Sequence, residues 1–364
     1  MEKRRKKVLV GLSGGVDSSV AACMLVRQGF EVTGLHLQLH AEGEDATRPE
    51  PMEMRISDRK EFDIPVYRFN LSGRFRREVE DYFREEYLAA HTPNPCMLCN
   101  KTVKWAGLLE AARLLDAELV STGHYARTAF REGRHRLLAG LDPKKDQSYF
   151  LWMLSEEEIA RTLFPLGEHT KQEVRELARS FGVTAAEKKE SQEICFIPGD
   201  DYRSWLAASV PGLRERLEGG GILDPSGKLI GSHHGYPFYT VGQRRGLGTA
   251  TGEPVYVTSI DPETNTLHTG PRSALLSTTL RVGRLNWIAF DPPAAPFEAT
   301  ARIRYRDTAA PCTLTPKEGG EIEVVFAEPK SALTPGQAAV FYRGEEVLGG
   351  GIITDAGPAA GKES

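Results

Sequence analysis

Three groups of residues in this 364-residue chain have types and spacing suited to chemistry. The first is Ser13-Gly14-Gly15-Val16-Asp17-Ser18-Ser19, directly after the apolar run Val8-Leu9-Val10-Gly11-Leu12. A buried strand that passes through a Gly-rich turn into a helix N-terminus offers backbone N–H groups and the positive end of a helix dipole to an anion, and phosphate is the natural occupant. No Lys follows the second Gly, so the G-x-x-x-x-G-K-[ST] pattern is absent and nothing local would hold a transferring γ-phosphate. Asp17 is placed to cap the following helix or to help hold magnesium. The second group is Asn94-Pro95-Cys96-Met97-Leu98-Cys99. No further C-x-x-C or H-x-H pair follows to complete a zinc site, so the two thiols read as reactive, and the N-terminus of the next helix favours thiolate there. The third is Cys195, between Ile194 and Phe196, which pattern alone reads as a core residue. Cys23 and Cys312 read as packing residues.

Two basic stretches come later. Gly242-Gln243-Arg244-Arg245-Gly246-Leu247-Gly248 is a Gly-rich loop, and Ala301 to Asp307 reads as a strand with Arg302, Arg304 and Arg306 on one face. Side chains two apart on a strand lie roughly 6.7 Å from each other, near the spacing of successive phosphates on a nucleic-acid strand. The formal net charge of the chain is -4, so any nucleic-acid binding must come from such local faces rather than from the whole-molecule field.

The elements that must position these groups are legible in outline. A helix over Val16 to Gln28 follows the first turn, strands are expected over Glu31 to Leu37, Ile64 to Phe69 and Ala117 to Ser121, and the alternation with helices predicts a parallel sheet. In such sheets ligands bind beyond the C-terminal strand ends, which places Leu37 at the lip of a ligand crevice and gives Gly123 a close backbone approach to a ligand. His40 to Glu53 reads as a mobile loop. Phe75 to Ala90 reads as a helix with Val79, Phe83 and Leu88 inward, followed by a rigid Pro-rich loop that presents Cys96 and Cys99 at the head of a helix over Lys101 to Leu115. A hairpin about Glu132-Gly133 and a helix over Lys171 to Phe181 capped by Thr170 come next. From Gly219 onward, short apolar runs between Asp-Pro and Gly turns predict β structure. Five unevenly spaced cysteines form no secreted disulfide framework, no apolar run is long enough to span a bilayer, and the start of the chain lacks a signal-peptide core, so a cytoplasmic protein is expected.

The loop SGGVDSS resembles the pyrophosphate (PP) loop of enzymes that split ATP between its α- and β-phosphates. Taken with TPNPCMLCN, STGHYAR, KKDQSYFL, ICFIPG, SHHGYPFYTVGQRRGLG, RIRYRDTAAPC and PGQAAVFYRGEEVLGGGII, the chain is similar nearly end to end to the tRNA-specific 2-thiouridylases. The resemblance implies an N-terminal doubly wound PP-loop domain over 1–208, a small, mostly β central domain over 209–275 that contacts tRNA, a C-terminal β-barrel-like domain over 276–357, and a tail over 358–364. It implies ATP and magnesium as cofactors, with Gly11, Leu12, Ser13, Gly14, Gly15, Val16, Asp17, Ser18, Leu37 and Gly123 holding ATP. Cys99 is then the nucleophile and Cys195 the persulfide carrier. Asn94, Pro95 and Cys96 would meet the target base, while His124, Lys145, Asp146, Gln147, Arg304, Tyr305 and Gln337 would contact tRNA. The implied partners are tRNA with a wobble uridine and a persulfide carrier protein or cysteine desulfurase, with no membrane.

The implied reaction adenylates O2 of a flipped uridine, releases pyrophosphate and replaces the activated oxygen by sulfur. Cys99 either attacks the persulfide to leave a Cys99–Cys195 disulfide or frees hydrosulfide. Two departures bear on this. His40 to Lys60 lacks the cysteine and the Asp-Ala helix that many members carry, and Cys96 stands where many members have Asp. Cys96, Cys99 and Cys195 together also suit a three-thiolate [4Fe-4S] cluster with an open iron. Rival readings are another ATP-pyrophosphatase, such as a tRNA-modifying ligase, and a non-enzymatic, redox-sensing protein that binds ATP and tRNA.

Overall fold

The computed structural model describes residues 4–40, 52–54, 64–183, 194–197, 199, 201–249 and 253–357. Val8, Leu9 and Val10 are wholly buried in β1 (Lys7–Gly11), which forms the centre of the first sheet. With β2 (Glu31–Gln38), β3 (Met52–Met54), β4 (Val66–Asn70), β5 (Leu119–Ser121) and β8 (Thr162–Leu163) it makes a six-stranded sheet of order β3-β4-β2-β1-β5-β8. Every pairing is parallel except β3 with β4. The chain moves outward from β1 through β2 to β4, then returns to the far side of β1 at β5. The crevice beyond the C-terminal end of β1 is therefore the switch point at which such sheets bind ligands. Of the loop expected over His40 to Glu53, residues 41–51 lie outside the described residues. Its end is corrected, because Glu53 pairs with Tyr67 on the sheet edge.

The helices are α1 (Val16–Arg27), α2 (72–88), α3 (95–114), α4 (Glu156–Ala160), α5 (Lys171–Ser180), α6 (Tyr202–Ser209) and α7 (Leu213–Leu217). In α2, Val79 and Phe83 are buried, with Leu88 partly buried against the same core. The start of α3 corrects the expected loop: the helix begins at Pro95 rather than Lys101, so Cys96 and Cys99 are helical residues. Proline is tolerated at the first helical position, where its missing N–H has no helical partner anyway, and Asn94 caps the helix by accepting from the Cys96 N–H at 3.2 Å. Within α3, residues Cys99–Trp105 are wound as a π-helix. Thr170 caps α5 as expected, reciprocally with Glu173.

The hairpin β6 (Ala126–Arg131) and β7 (Arg134–Ala139) forms about Glu132-Gly133. The central part of the chain contains β9 (Gly220–Leu223), β10 (Leu229–His233), β11 (Tyr256–Asp261) and β12 (Thr266–Gly270), in the order β10-β9-β12-β11. The C-terminal part contains β13 (Leu276–Trp287), β14 (Phe297–Arg302), β15 (Ala310–Pro316), β16 (Ile322–Ser331), β17 (Ala338–Arg343) and β18 (Glu346–Ala356). These run β13-β16-β15-β14-β17-β18 and close through β13–β18 into a six-stranded barrel around Leu280, Val282, Leu314, Val324, Phe341 and Ile353. Through β7, the β6–β7 hairpin of the first half of the chain joins β18, with Leu137 opposite Val347. That pairing ties the barrel to the first sheet's half of the molecule.

The expected strand over Ala301 to Asp307 is also corrected. β14 ends at Arg302, whose guanidinium is drawn to the Asp146 carboxylate at 2.8 Å. The chain then bends, with the Asp307 N–H donating to the Arg304 carbonyl at 3.1 Å. Arg302, Arg304 and Arg306 therefore do not share a strand face.

Candidate active site

At the C-terminal end of β1, Leu12 N–H donates to the Leu35 carbonyl at 2.7 Å and holds the turn against β2. Gly14 adopts φ +77°, and the Ser18 hydroxyl accepts from the Ser13 N–H at 3.2 Å while Ser19 donates to the Gly15 carbonyl at 3.0 Å. Gly15 is the N-cap of α1 and offers no side chain to the first helical amides. Those N–H groups face the crevice with the helix dipole behind them, an arrangement that fits the phosphates of ATP. Asp17 does not cap α1. Its carboxylate takes Lys171 Nζ at 2.7 and 2.9 Å and the Tyr125 hydroxyl at 2.9 Å. Lys171, at the start of α5, thus brings to this loop the cation that the loop itself lacks. Sequence distance hid it.

On the side a Cβ would occupy, Gly123 meets the phosphate loop itself. A Cβ there would lie 2.6 Å from Ser18 N and 2.8 Å from the Asp17 carbonyl carbon, so the turn after β5 packs directly on the phosphate loop. The next residue, His124, has its ring 5.3 Å from that of Trp105, and Nδ1 lies 2.9 Å from Thr122 Oγ1. Burial, reinforced by Lys104, pushes its pKa down to about 3, so the imidazole is neutral at physiological pH. Leu37 pairs with Phe69 near the end of β2, and the neighbouring His36 ring contacts the Leu12 carbonyl at 3.2 Å.

Cys99 is buried, Cys96 is half-buried, and Cys195 is exposed on a turn whose next residues, Phe196 and Ile197, enter the core in its place. The core reading of Cys195 is therefore corrected by one position. Burial pushes the Cys99 thiol up to about 11, against the expected thiolate preference, because desolvation outweighs the opposing charge of Lys104. Cys96 and Cys195 are raised for the same reason. Lys104 opposes the rise at all three thiols, and the charge of Cys195 acts on Cys99, as does that of Cys96 on both. Asn100, itself anchored to the Phe150 carbonyl at 3.2 Å, holds Lys104 Nζ at 3.0 Å. The π-helical turn matters here, since i to i+5 bonding brings residues five apart, such as Cys99 and Lys104, toward one side. Among the described residues no three His, Cys, Asp or Glu side chains are grouped so that they could hold a metal ion.

Several residues expected to contact tRNA serve the protein itself. Asp146 is 3% exposed and holds Arg302 and the N–H groups of Gly140 and Ser148, so its carboxylate is not open to a ligand. Gln147 accepts from the Tyr125 N–H at 3.0 Å. Gln337 donates to the Thr92 carbonyl at 2.6 Å, and the Thr92 N–H donates to the Pro335 carbonyl at 2.9 Å, so the barrel grips the segment that leads into Asn94-Pro95-Cys96. Trp152, inside the interface, donates to Met97 Sδ at 2.9 Å, and Asn286 of the barrel donates to its carbonyl at 2.6 Å. Tyr305 stacks obliquely on Phe150 at 4.4 Å between centroids, and Arg304 is exposed with its guanidinium on the Ser331 carbonyl. Lys145 is half-buried.

Three family profiles match the chain: residues 6–199 match one described as a tRNA methyl transferase HUP domain, 213–271 a tRNA methyl transferase PRC-barrel domain, and 277–353 an aminomethyltransferase beta-barrel domain. The tRNA-specific 2-thiouridylase MnmA of Chlorobium luteolum is 70% identical over 362 residues, spanning 98% of this chain and 99% of its own. The chain belongs to the tRNA-specific 2-thiouridylase family. The relative from Chlorobaculum tepidum is 59% identical across 97% of this chain and 96% of its own, and that from Carboxydothermus hydrogenoformans 45% identical across 96% and 98%. The parallel sheet, the central β unit and the closed barrel are the architecture those profiles describe for this family. No helix among the described residues is long and apolar enough to cross a membrane.

Proposed function

We propose that this protein is an ATP-dependent tRNA-uridine 2-sulfurtransferase that acts in the cytoplasm on the wobble uridine and takes its sulfur from a persulfide carrier protein or a cysteine desulfurase. One observation carries the reading: Gly123 packs against the phosphate loop while His124 packs against Trp105 in the helix that holds Cys99, so the nucleotide loop and the thiols flank one turn.

ATP, with magnesium, supplies the adenylyl group that turns O2 of the uridine into a leaving group. The amides of Val16 to Ser18 and the hydroxyls of Ser13 and Ser18 receive the departing pyrophosphate, and Lys171 adds positive charge behind Asp17. Asn94 and Pro95 fix the entry to α3 where the flipped base would lie, and the grip of Gln337 on Thr92 keeps that entry in place. The terminal sulfur of a Cys195 persulfide attacks C2, forming the C–S bond as AMP leaves with the C–O electron pair. Cys99, as thiolate, then attacks Cys195 Sγ. The S–S bond to the substrate sulfur breaks, its electron pair stays on that sulfur to give 2-thiouridine, and a Cys99–Cys195 disulfide forms. A dithiol reductant returns two electrons to the pair. Lys104 favours the thiolate that this step needs.

Nucleoside mass spectrometry of unmodified tRNA incubated with the protein, ATP, magnesium and a protein persulfide donor tests the proposal. The expected product is 2-thiouridine at the wobble position. Pyrophosphate release without any sulfur in the tRNA would refute it.

A further inference from the structure

Cys96 has no part in the sulfur-transfer steps above, although it stands with the two thiols that do. It is the second residue of α3, its N–H donating to Asn94 Oδ1 at 3.2 Å, and Cys99 follows three positions later in the same helix. Residues three apart on a helix share a face, with about 5–6 Å between their Cβ atoms. A disulfide needs about 3.5–4.5 Å there and about 4.4–6.8 Å between Cα atoms, so an ordinary helical pair misses by only about 1 Å at Cβ. The first turn of α3 is drawn toward a tighter winding. The Cys99 N–H donates to the Cys96 carbonyl as well as to that of Pro95, and an i to i+3 bond of this kind brings side chains three apart toward eclipse.

The three thiols differ in how they meet solvent: Cys99 is buried, Cys96 half-buried and Cys195 exposed. The charge of Cys96 acts on Cys99 and on Cys195, and that of Cys195 acts on Cys99, so the three belong to one locus. The sulfur-transfer steps end with the buried thiol joined to the exposed one, and the thiol that must accept the next sulfur stays blocked until a reductant arrives. A free thiol held beside one sulfur of a disulfide can clear such a block by exchange. Cys96 is that thiol for Cys99, on the same helical face and already fixed there by the Asn94 cap. The leaving sulfur would be the most exposed of the three, where water can take up its charge.

We propose that Cys96 is the resolving cysteine of this site: it attacks Cys99 Sγ, displaces Cys195, and moves the disulfide onto the Cys96–Cys99 pair of α3. The inference rests on the sulfur-transfer reading above and gives its third thiol a step. The Cys96–Cys99 bond forms as the Cys99–Cys195 bond breaks, the bonding pair leaves on Cys195 Sγ, and the proton lost by Cys96 ends there, so the exchange consumes neither oxidant nor reductant. Cys195 is then a free thiol that can take the next sulfur while the dithiol reductant acts on the helical pair. The test loads the full chain with sulfur from a protein persulfide donor, removes the donor, and allows one turnover with unmodified tRNA, ATP and magnesium without reductant. Acid quenching, alkylation with N-ethylmaleimide and peptide mass spectrometry then locate the disulfide. In the wild type the expected link is Cys96–Cys99, with Cys195 alkylated and open to a second loading by the donor. In Cys96→Ser and Cys96→Asp the expected link is Cys99–Cys195, and the second loading is lost. Wild-type protein that makes 2-thiouridine yet keeps the Cys99–Cys195 link would overturn the proposal, as would a Cys96–Cys99 link that forms equally without ATP; the wild-type map decides this even where a variant does not turn over. Stoichiometric iron and sulfide in anaerobically purified protein, lost in Cys96→Asp, would also overturn it by making Cys96 a cluster ligand. Wild-type protein that makes no 2-thiouridine would instead remove the sulfur-transfer reading, and the resolving step with it.

Discussion

Gly123→Ala should cripple nucleotide activation with only moderate loss of stability. The added Cβ would lie 2.6 Å from Ser18 N and 2.8 Å from the Asp17 carbonyl carbon, both backbone atoms that cannot swing aside as a side chain can. Restoring ordinary contact at about 3.4 Å needs a retreat of about 0.8 Å by the start of α1 or by the turn after β5. Overpacking of this kind costs about 1–3 kcal/mol, which a domain stable by about 5–15 kcal/mol survives. The phosphate-binding amides belong to the same backbone that must retreat, and a displacement near 1 Å costs on the order of 100-fold in a positioned reaction. Pyrophosphate release is therefore expected to fall by about 10- to 100-fold in kcat/KM, with a folded protein by circular dichroism and a Tm lowered by several degrees. Wild-type kcat/KM together with an unchanged Tm would show that the turn and the loop are not in the close packing described here.

Cys195→Ala should abolish thiolation from a protein persulfide donor while leaving pyrophosphate release measurable, because the exposed thiol acts only after the base is activated; retained sulfur transfer would remove it from the pathway. Cys99 reactivity should climb with pH, since the folded thiol is pushed up to about 11 and its thiolate fraction rises about tenfold per pH unit below that value. Lys104→Met should move the alkylation profile of Cys99 further up in pH, because the ammonium lowers that pKa; an unmoved profile in a folded variant would dismiss the lysine. Asp146→Ala should cost about 3–5 kcal/mol in denaturant unfolding by stranding Arg302, far more than an exposed tRNA contact would, and a stable variant with weakened tRNA binding would restore the surface role. Lys171→Met should reduce pyrophosphate release while sparing the affinity for tRNA, measured by filter binding; undiminished release would make the Asp17 pair purely structural.

Local order along the chain was legible wherever short-range physics decides it. The apolar run at Val8, the glycines after it and the helix that follows them specify a strand, an anion-binding turn and a helix start without help from distant residues. Thr170 and Glu173 specify a helix start in the same way, and Glu132-Gly133 a hairpin. The order of the motifs also carried the family, because each short string constrains residue types independently of contacts. Where α3 begins was within reach too, since Asn94 before Pro95 is a cap followed by a residue suited to the first turn; the prolines were read as breakers when one of them was a starter.

Tertiary structure decided the rest, through burial and through contacts between residues far apart in the chain. Periodicity around Cys195 cannot say which of Ile194, Cys195 or Phe196 turns inward, and the aromatic cluster of Phe75, Phe83 and Trp205 took Phe196. A helix N-terminus argues for a thiolate at Cys99, but desolvation depends on everything packed over it and reverses the sign. Alternation made Arg302, Arg304 and Arg306 look like one face until the buried carboxylate of Asp146 drew the first of them inward. Lys171 reaches Asp17 across 154 positions of sequence, and the hairpin strand β7 completes a sheet with β18 from the other end of the chain. Neither partner carries a local signal, because an ion pair or a sheet edge constrains its two members only once the fold has brought them within reach.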